Sequence, residues 1–391
     1  NLARSRYMAS ARKRLKQELE GEVNPEVIVE TIKEYIEDGG ITANDLYDEL
    51  AENNNWLSSP VIEQLEAERL IDFQSLEIRS GIGRPFFEYI SNVRLDSPVI
   101  DVDCEPIYGI GKKMTEVYFW GIPSSGKTCA LGAILSEAQH GGFVDFAEPQ
   151  MCQGYHYMNM LAQTFNGSAE VFKLPEGTAT DAIFEMEFVF KKDRKDYPVT
   201  FIDLAGETID SMYRKNAGLP LIGSKQAGLD MAENILKGNP KINRKMHFFV
   251  LEYNGHNKTY KGLTQDTLLT GAMAYIKNTG IFRTETDAVY LLITKSDLTK
   301  AYSNQEREQI LKEYLSKHYR QFYNGLKSIC YENEINGGEV DIIPFSVGQV
   351  CFQNLCLFNN QDASTVVRLI MNRATGFKTG KFAKFINKLN S

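Results

Sequence analysis

The sequence lacks several features that would place it in a common class of protein. It has no run of about twenty apolar residues, so we expect no membrane-spanning helix. Its six cysteines include no C-x-x-C pair, which predicts buried, reduced thiols in a cytoplasmic protein rather than a disulfide framework. The five histidines show no metal-ligand spacing, and no internal repeat is evident.

The chain also lacks an excess of positive charge. Its formal net charge is −8 and its pI is about 5.4. This balance argues against a protein that coats nucleic acid, because binding to phosphate backbones requires a basic surface. With 43% hydrophobic and 24% charged residues over 391 positions, the composition is that of a globular protein, and the length suggests two domains.

Residues 8–75 are predicted to form an acidic helical domain. Asn24-Pro25 is a helix start signal, Gly39-Gly40 is a stop signal, and Thr42 can cap the helix that follows. The succession of short helices resembles a helix-turn-helix or winged-helix module. Between positions 25 and 72, however, thirteen acidic residues stand against two basic ones, and so acidic a surface repels DNA. We therefore expect this domain to dock a protein partner or to be purely structural.

Residues 76–113 contain several glycine and proline turns and are predicted to be a connecting segment. From residue 114 onward, apolar runs alternate with helical patterns, as in a parallel sheet with crossover helices. The polar stretch 191–196 joins two runs so closely that an antiparallel hairpin is expected there. The predicted strands are 115–121, 183–190, 199–203, 247–253, 287–293 and 340–346. The predicted helices of this part of the chain are 128–138, 265–279, 304–322 and 361–373.

The strongest motif is Gly121-Ile122-Pro123-Ser124-Ser125-Gly126-Lys127-Thr128, between a predicted strand and a predicted helix. It fits G-x-x-x-x-G-K-[ST], the phosphate-binding loop of nucleotide triphosphatases. The glycines allow successive backbone N–H groups to point at phosphate oxygens, and the following helix adds its positive end. Lys127 would contact the β- and γ-phosphates, and the Thr128 hydroxyl would bind Mg²⁺. The residues of this loop and of the helix start predicted to bind the nucleotide are Gly121, Ser124, Ser125, Gly126, Lys127, Thr128 and Cys129.

A second motif, Asp203-Leu204-Ala205-Gly206, follows the predicted strand 199–203. Asp203 would hold Mg²⁺ through water, and the Gly206 N–H would bind the γ-phosphate. Because D-x-x-G turns are common, this motif alone is equally compatible with an ordinary turn.

The third motif, Thr294-Lys295-Ser296-Asp297, comes after the predicted strand 287–293. Together with the first two it resembles the Ras-like (TRAFAC-class) P-loop GTPases, whose guanine-reading signature is [NT]-K-x-D. The resemblance implies that the Asp297 carboxylate accepts two hydrogen bonds from guanine. It implies contacts to the base from Thr294, Lys295, Ser346 and Val347.

The same resemblance implies the fold and a set of catalytic residues. Residues 114–391 would form an α/β three-layer sandwich around a mostly parallel six-stranded sheet with one antiparallel strand, next to an N-terminal all-α domain. Thr178, or alternatively Thr180, would bind Mg²⁺ from the first switch loop. Glu207 stands where the family has a water-orienting glutamine, so slow hydrolysis is expected, with Lys127, Glu207 and Thr178 as the catalytic residues. Arg214 could act as an arginine finger, although a solvated helix face is the better interpretation.

Taken together, the motifs predict a protein that binds GTP or GDP with Mg²⁺, hydrolyses GTP slowly and controls a protein partner. The partner would contact the acidic domain and the long inserts 139–177 and 208–245; a homodimer is also compatible with the sequence. The segments Pro-Glu-Gly-Thr and Asp-Leu-Ala-Gly-Glu are similar to those of a bacterial group with double GTPase domains. The alternatives are a P-loop ATPase or kinase with an accidental T-K-S-D, and a nucleotide-locked scaffold without significant turnover.

Overall fold

The computed structural model describes residues 2–22, 24–52, 59–72, 106–107, 109–146, 152–165, 171–175, 182–221, 223–282, 285–351 and 355–376. Thr178 and Thr180 lie outside these residues, as does most of the predicted connecting segment. The chain divides into two compact units. One comprises residues 1–97, 167–174 and 348–358, and the other comprises residues 98–166, 175–347 and 359–391.

Twelve α-helices and twelve strands occur in the part of the chain that the structure describes. The helices are α1 (Leu2–Glu18), α2 (Pro25–Glu37), α3 (Ala43–Glu52), α4 (Ser59–Ala67), α5 (Lys127–His140), α6 (Tyr155–Thr164), α7 (Gly206–Asn216), α8 (Ser224–Gly238), α9 (Gln265–Thr279), α10 (Asn304–His318), α11 (Arg320–Glu332) and α12 (Gln361–Ala374). The strands are β1 (Thr115–Trp120), β2 (Val144–Phe146), β3 (Val171–Lys173), β4 (Phe184–Lys192), β5 (Lys195–Asp203), β6 (Lys245–Glu252), β7 (Thr259–Tyr260), β8 (Leu263–Thr264), β9 (Thr286–Thr294), β10 (Asp341–Pro344), β11 (Gly348–Cys351) and β12 (Leu355–Phe358).

The helices of the first unit begin where the sequence signals place them. The Asn24 side chain accepts a hydrogen bond from the Glu26 N–H (3.1 Å), and Pro25 is the first residue of α2. At the start of α3, the Thr42 hydroxyl accepts from the Asp45 N–H (3.1 Å) while the Asp45 carboxylate accepts from the Thr42 N–H (2.8 Å). This reciprocal pair is a capping box, which fixes the start of α3. Both predicted helix starts are confirmed.

The first unit also contains a three-stranded antiparallel sheet in the order β11-β12-β3. Its strands come from two segments that are far apart in the sequence and lie within the range predicted for the nucleotide-binding domain. Leu357 of β12 packs against the helical core. The buried members of that core include Leu15, Ile28, Ile32, Leu46, Leu50, Val61 and Leu65.

The second unit is built on a seven-stranded sheet in the order β10-β9-β6-β1-β5-β4-β2. Strands β10, β9, β6, β1 and β5 pair in parallel, and β4 pairs with β5 as an antiparallel hairpin. All six predicted strands are present, and the predicted hairpin is confirmed. The seventh strand, the three-residue β2 at the edge, was not predicted. The helices flank this sheet in the arrangement of a P-loop nucleotide-binding α/β fold.

The central strands are buried along their whole length, which explains why they are continuous apolar runs. Aromatic side chains of neighbouring strands pack against one another on the faces of the sheet. Phe119 stacks on Phe248 with ring centroids 5.2 Å apart, and Trp120 stacks on Phe249 at 5.4 Å. The abundant aromatic residues of these strands therefore serve core packing, as their positions in the sequence suggested.

A buried polar network supports the amino-terminal end of β1. The Glu116 carboxylate accepts hydrogen bonds from the Tyr118 hydroxyl (2.6 Å), Asn239 (2.9 Å) and Asn243 (2.7 Å). The same two asparagines accept hydrogen bonds from the Ile110 and Met114 N–H groups. Because every donor and acceptor is paired, the network can lie in the core without a large desolvation cost.

None of the helices in the described residues is long and apolar enough to cross a lipid bilayer. Cys129, Cys152, Cys330 and Cys356 are free thiols. Among the described residues, no group of three or more His, Cys, Asp or Glu side chains could hold a metal ion.

Candidate functional site

The loop between β1 and α5 makes a tight turn in which two residues adopt left-handed backbone conformations. Gly126 has φ 82°, and Ser124, which is not a glycine, has φ 67°. A Cβ atom on Gly121 would lie 2.6 Å from the Ser125 Oγ and 3.3 Å from the Lys127 Cδ, so both side chains fold back over this glycine. The Ser125 Oγ is buried and has no hydrogen-bond partner among the described residues. The loop therefore presents an unused buried hydroxyl beside the predicted phosphate position.

Lys127 and Asp203 form a buried ion pair that joins the first two motifs. The Lys127 Nζ donates to the Asp203 Oδ1 and, at 2.8 Å, to the Leu204 carbonyl oxygen. Lys127 is 7% exposed and Asp203 is 1% exposed. Charges this deep are stable only when they are paired. The ammonium group of Lys127 thus has a protein partner that an incoming phosphate could replace.

The other oxygen of Asp203 is held by a residue that belongs to no sequence motif. The Tyr157 hydroxyl donates to the Asp203 Oδ2 at 2.9 Å. Tyr157 lies on α6, is completely buried, and stacks on Phe184 with ring centroids 4.0 Å apart. Nothing in the local sequence marks this tyrosine, because it lies 46 positions from Asp203 in an insert without a motif.

Gly206 brings the second motif against the phosphate-binding loop. A Cβ atom at this position would lie 2.9 Å from the Pro123 Cδ. Gly206 is also the first residue of α7, where backbone N–H groups have no partner within the helix. The position predicted to contact a γ-phosphate therefore adjoins the loop and carries a helix-terminal N–H.

Glu207, the next residue, is engaged by three donors. Its carboxylate accepts hydrogen bonds from the Tyr260 hydroxyl and from Lys261 (2.6 Å), and it pairs with Lys225 (3.0 Å). Burial alone raises the pKa of Glu207, but the hydrogen bonds from Lys261, Tyr260 and Lys225 together hold this pKa below its ordinary value. Glu207 is therefore ionised at neutral pH, and two ammonium groups balance its charge.

Asp210, one turn further along α7, is the buried centre of the same ion cluster. Its side chain is 1% exposed, and it pairs with Lys225 (3.0 Å), Lys261 (3.0 Å) and Arg214 (3.1 Å). Burial tends to raise the pKa of Asp210, yet Lys261 and Lys225 outweigh it and hold the pKa below its usual range. Arg214 is thus part of a structural cluster on α7 in this conformation.

Replacing Asp210 by asparagine is expected to destabilise the protein by about 1–2 kcal/mol at pH 7, because partly exposed cations lose their buried partner. Since the pKa is depressed in the folded state, the contribution of Asp210 is complete above pH about 5 and is lost as the pH falls below about 4. Urea unfolding of wild type and Asp210→Asn at pH 7 and pH 3.5 measures this difference.

Asp230, an exposed residue of α8 that accepts a hydrogen bond from Gln226 (2.7 Å), provides the matched control. Asp230→Asn should leave the unfolding free energy nearly unchanged at both pH values. An Asp210→Asn effect that is equally large at pH 3.5 would show that the ion cluster is not its cause.

The third motif is bonded directly to the phosphate-binding loop. The Thr294 hydroxyl donates to the Ser125 carbonyl oxygen at 2.7 Å, and a Cβ atom on Gly126 would lie 3.0 Å from the Thr294 Oγ1. Lys295 adopts φ 56°, and its Nζ donates to the Glu252 Oε1 at 2.5 Å. Asp297 is exposed, and its carboxylate accepts no hydrogen bond from any residue that the structure describes. This carboxylate is therefore available to a ligand.

The turn at Ser346 and Val347 lies beside the third motif. The Ser296 N–H donates to the Phe345 carbonyl oxygen at 3.1 Å, which joins the two loops. The Ser346 N–H donates to the Asp362 Oδ2 at 2.8 Å. The Arg307 guanidinium donates two hydrogen bonds to the same carboxylate, at 2.9 and 3.1 Å. Arg307 and Asp362 hold the predicted base-contacting turn, and neither residue belongs to a sequence motif.

Cys129, also predicted at the phosphate site, lies in the first turn of α5 and is half-buried. Burial raises the pKa of its thiol to about 11. The thiol is therefore neutral at physiological pH and places no negative charge beside the loop.

No family model and no curated protein match this sequence. Solved structures that resemble it include the Roco2 RocCORdC protein of Methanosarcina barkeri bound to GDP, with 12% identity, a TM-score of 0.29, and coverage of 71% of this chain and 52% of that one. The GTPase-like domain of S. cerevisiae Ski7 bound to GTP gives 16% identity, a TM-score of 0.30, and coverage of 60% and 43%. Nucleolar GTP-binding protein 1 of Plasmodium falciparum gives 12% identity, a TM-score of 0.28, and coverage of 72% and 99%.

This chain thus spans about half the length of the Roco protein and less than half of the Ski7 chain. GDP is bound to the Roco protein and GTP to the Ski7 GTPase-like domain, and the third protein is named as a GTP-binding protein.

Proposed function

We propose that this protein is a guanine-nucleotide switch, which binds GTP and GDP with Mg²⁺ and hydrolyses GTP slowly. One observation carries the proposal: the Thr294 hydroxyl is bonded to the Ser125 carbonyl oxygen, so the T-K-S-D motif and the phosphate-binding loop form one continuous surface. A T-K-S-D motif elsewhere in the fold could not contact a nucleotide held by that loop.

Base recognition would rest on Asp297. Guanine presents two neighbouring donors, N1–H and the 2-amino group, whereas adenine has no pair of donors on that edge. A free carboxylate matches two donors with two acceptors. Lys295, held by Glu252, would flank the base, and the turn at Ser346 and Val347 would contact it through the backbone. The hydrogen bond of Ser346 to Asp362 would keep that turn in place.

The phosphate side fits Mg²⁺, because its donors are hard oxygen atoms close to a phosphate-binding loop. Thr128 and Asp203 would hold the ion together with Thr178 or Thr180. Bound Mg²⁺ would neutralise charge on the β- and γ-phosphates. Lys127 would exchange its bond to Asp203 for one to a phosphate oxygen, and the Ser125 hydroxyl would gain the partner that it lacks.

Hydrolysis would form a bond between a water oxygen and the γ-phosphorus and break the bond from that phosphorus to the β,γ-bridging oxygen. The products are GDP and phosphate, which also takes up the proton lost by the water. Lys127 and the Gly206 N–H would stabilise the charge of the transferring group. Glu207 would accept a hydrogen bond from the attacking water. Because Tyr260, Lys225 and Lys261 already occupy its carboxylate, those bonds must first rearrange, and unaided turnover would be slow.

Control of a protein partner is the part of the proposal that rests on surface charge. Helix α2 exposes an acidic stripe formed by Glu26, Glu30, Glu34 and Glu37. Such a stripe favours a partner with a basic surface and disfavours nucleic acid. The order of events in a switch would be nucleotide binding, a change in α7 and the neighbouring inserts, and a change in partner affinity.

Two measurements on the purified chain test the proposal. Denaturation should release GDP or GTP that was retained during purification, and a multiple-turnover assay should give slow production of phosphate from GTP. Release of only adenine nucleotides would contradict guanine recognition. Bound guanine nucleotide with no phosphate production would indicate the nucleotide-locked scaffold and contradict the hydrolytic part of the proposal.

Replacing Glu207 by alanine is expected to lower the single-turnover rate of GTP hydrolysis by about tenfold or more, because the water loses its acceptor. The affinity for GTP should change little. Glu233→Ala is the control, since Glu233 also accepts hydrogen bonds from a lysine and a tyrosine but lies on α8. A single-turnover rate of Glu207→Ala equal to that of wild type would remove Glu207 from the mechanism.

A further inference from the structure

Asp203 is held from both sides, and the two donors differ in how they would respond to nucleotide. Lys127 belongs to the phosphate-binding loop and would turn to a phosphate when nucleotide enters, in the function proposed above. The Tyr157 hydroxyl, 2.9 Å from the Asp203 Oδ2, comes from α6, which lies outside the phosphate-binding loop. The two donors therefore reach Asp203 from separate elements, and a movement of Lys127 would leave the bond from Tyr157 in place.

The surroundings of Tyr157 make it a rigid support. Tyr157 is completely buried, and its ring stacks on Phe184, the first residue of β4. Helix α6 is fastened at its start, because the Gly154 N–H donates to the Glu185 carbonyl oxygen at 2.7 Å. At its end, Phe165 packs so closely against Gly132 of α5 that a Cβ atom there would lie 2.4 Å from the Phe165 ring. The hydroxyl therefore has little freedom to move away from Asp203.

Residues that hydrogen-bond a metal-binding carboxylate fix its orientation and strengthen the binding of the metal. From these contacts we infer that Tyr157 is a positioning residue for magnesium: it holds the Asp203 carboxylate oriented for Mg²⁺ after Lys127 has moved to the phosphate. The inference rests on the proposed function, because it presupposes a bound nucleotide.

The test is the Mg²⁺ dependence of GDP release from the full chain. Release of fluorescent GDP is timed at a series of Mg²⁺ concentrations and in EDTA, for wild type and for Tyr157→Phe. The phenylalanine keeps the ring on Phe184 and removes only the hydroxyl. The Mg²⁺ concentration that slows release by half should rise about tenfold in Tyr157→Phe, and high Mg²⁺ should restore slow release. Release in EDTA should stay within twofold of wild type.

Two variants separate positioning from a general effect on packing. Tyr118→Phe also removes a buried hydroxyl that donates to a buried carboxylate (2.6 Å), but that carboxylate is Glu116, at the other end of β1. Its Mg²⁺ midpoint should equal that of wild type. In an Asp203→Asn background, Tyr157→Phe should cause no further shift in the midpoint, since the carboxylate that it positions is gone.

Phe184→Leu keeps the hydroxyl and removes the ring that fixes it, so it tests the idea even if Tyr157→Phe does not fold. It should shift the midpoint in the same direction by a smaller factor. An unchanged midpoint in the folded variants overturns the inference, as does an equal shift in Tyr118→Phe. If the wild-type protein did not bind GDP, or if its rate of GDP release did not depend on the Mg²⁺ concentration, the result would instead contradict the proposed function.

Discussion

Replacing Lys127 by methionine should weaken the binding of GTP and GDP by at least about a hundredfold, because a charge-assisted bond to phosphate in a buried site is lost. Methionine retains an apolar stem that can pack over Gly121, as the Lys127 stem does. The substitution also leaves the carboxylate of Asp203 without its ammonium partner, and Asp203 is 1% exposed. The variant should therefore also unfold at a lower temperature than wild type.

Lys112→Met is the control for this variant. Lys112 also pairs with a carboxylate, that of Glu187 (3.2 Å), but it precedes β1 and is not part of the loop. Equilibrium titration with fluorescent GDP, with circular dichroism to establish that each variant is folded, measures the effect. A folded Lys127→Met protein that binds GDP within a fewfold of wild type would show that the loop is not the phosphate site.

Replacing Asp297 by asparagine should change which base the protein binds. The amide offers one acceptor and one donor, so its N–H₂ would face the guanine 2-amino group and leave two donors opposed. The loss of a charge-assisted bond together with an unpaired donor predicts a fall in GDP affinity of about a hundredfold or more. Xanthine has a carbonyl group in place of that amine, so xanthosine diphosphate should bind the variant better than GDP does.

Asp341→Asn is the matched control, because Asp341 is also an exposed aspartate. It is the first residue of β10, whereas the predicted base-contacting turn at Ser346 follows the last residue of that strand. It should bind GDP as wild type does. Titrations of both variants with the guanine and xanthine diphosphates give the four affinities needed. Unchanged preference for guanine in Asp297→Asn would mean that Asp297 does not read the base.

The strands of the large sheet could be predicted because burial on both faces leaves a plain apolar run in the sequence. The helix starts at Asn24 and Thr42 could be predicted because their capping is local. The strand β2 could not, since three residues at a sheet edge carry little pattern. The sheet β11-β12-β3 was missed for the same reason, and its strands are brought together only by the tertiary fold.

The residues of the candidate site also fall into those that the sequence predicts and those that it does not. The phosphate-binding loop, Asp203 and the T-K-S-D motif are short contiguous patterns with a chemical reason for each residue. The residues that hold these groups form no such pattern. Lys225 and Lys261 bind Asp210 from 15 and 51 positions away in the sequence, and Tyr157 binds Asp203 from 46 positions away. No local pattern distinguishes these lysines from solvated surface residues. Sequence motifs therefore predict which groups would touch a nucleotide, but they do not mark the groups that hold those residues in place.

The central claim is that this site takes guanine nucleotides, and competition binding tests it most directly. Fluorescent GDP is bound to the full wild-type chain in Mg²⁺ and displaced with GDP, GTP, ADP and ATP. We predict that GDP and GTP displace the probe at similar low concentrations. The adenine nucleotides should require at least about a hundredfold more, because adenine cannot pair two donors with Asp297. Displacement by ATP at the same concentration as GTP would contradict the account.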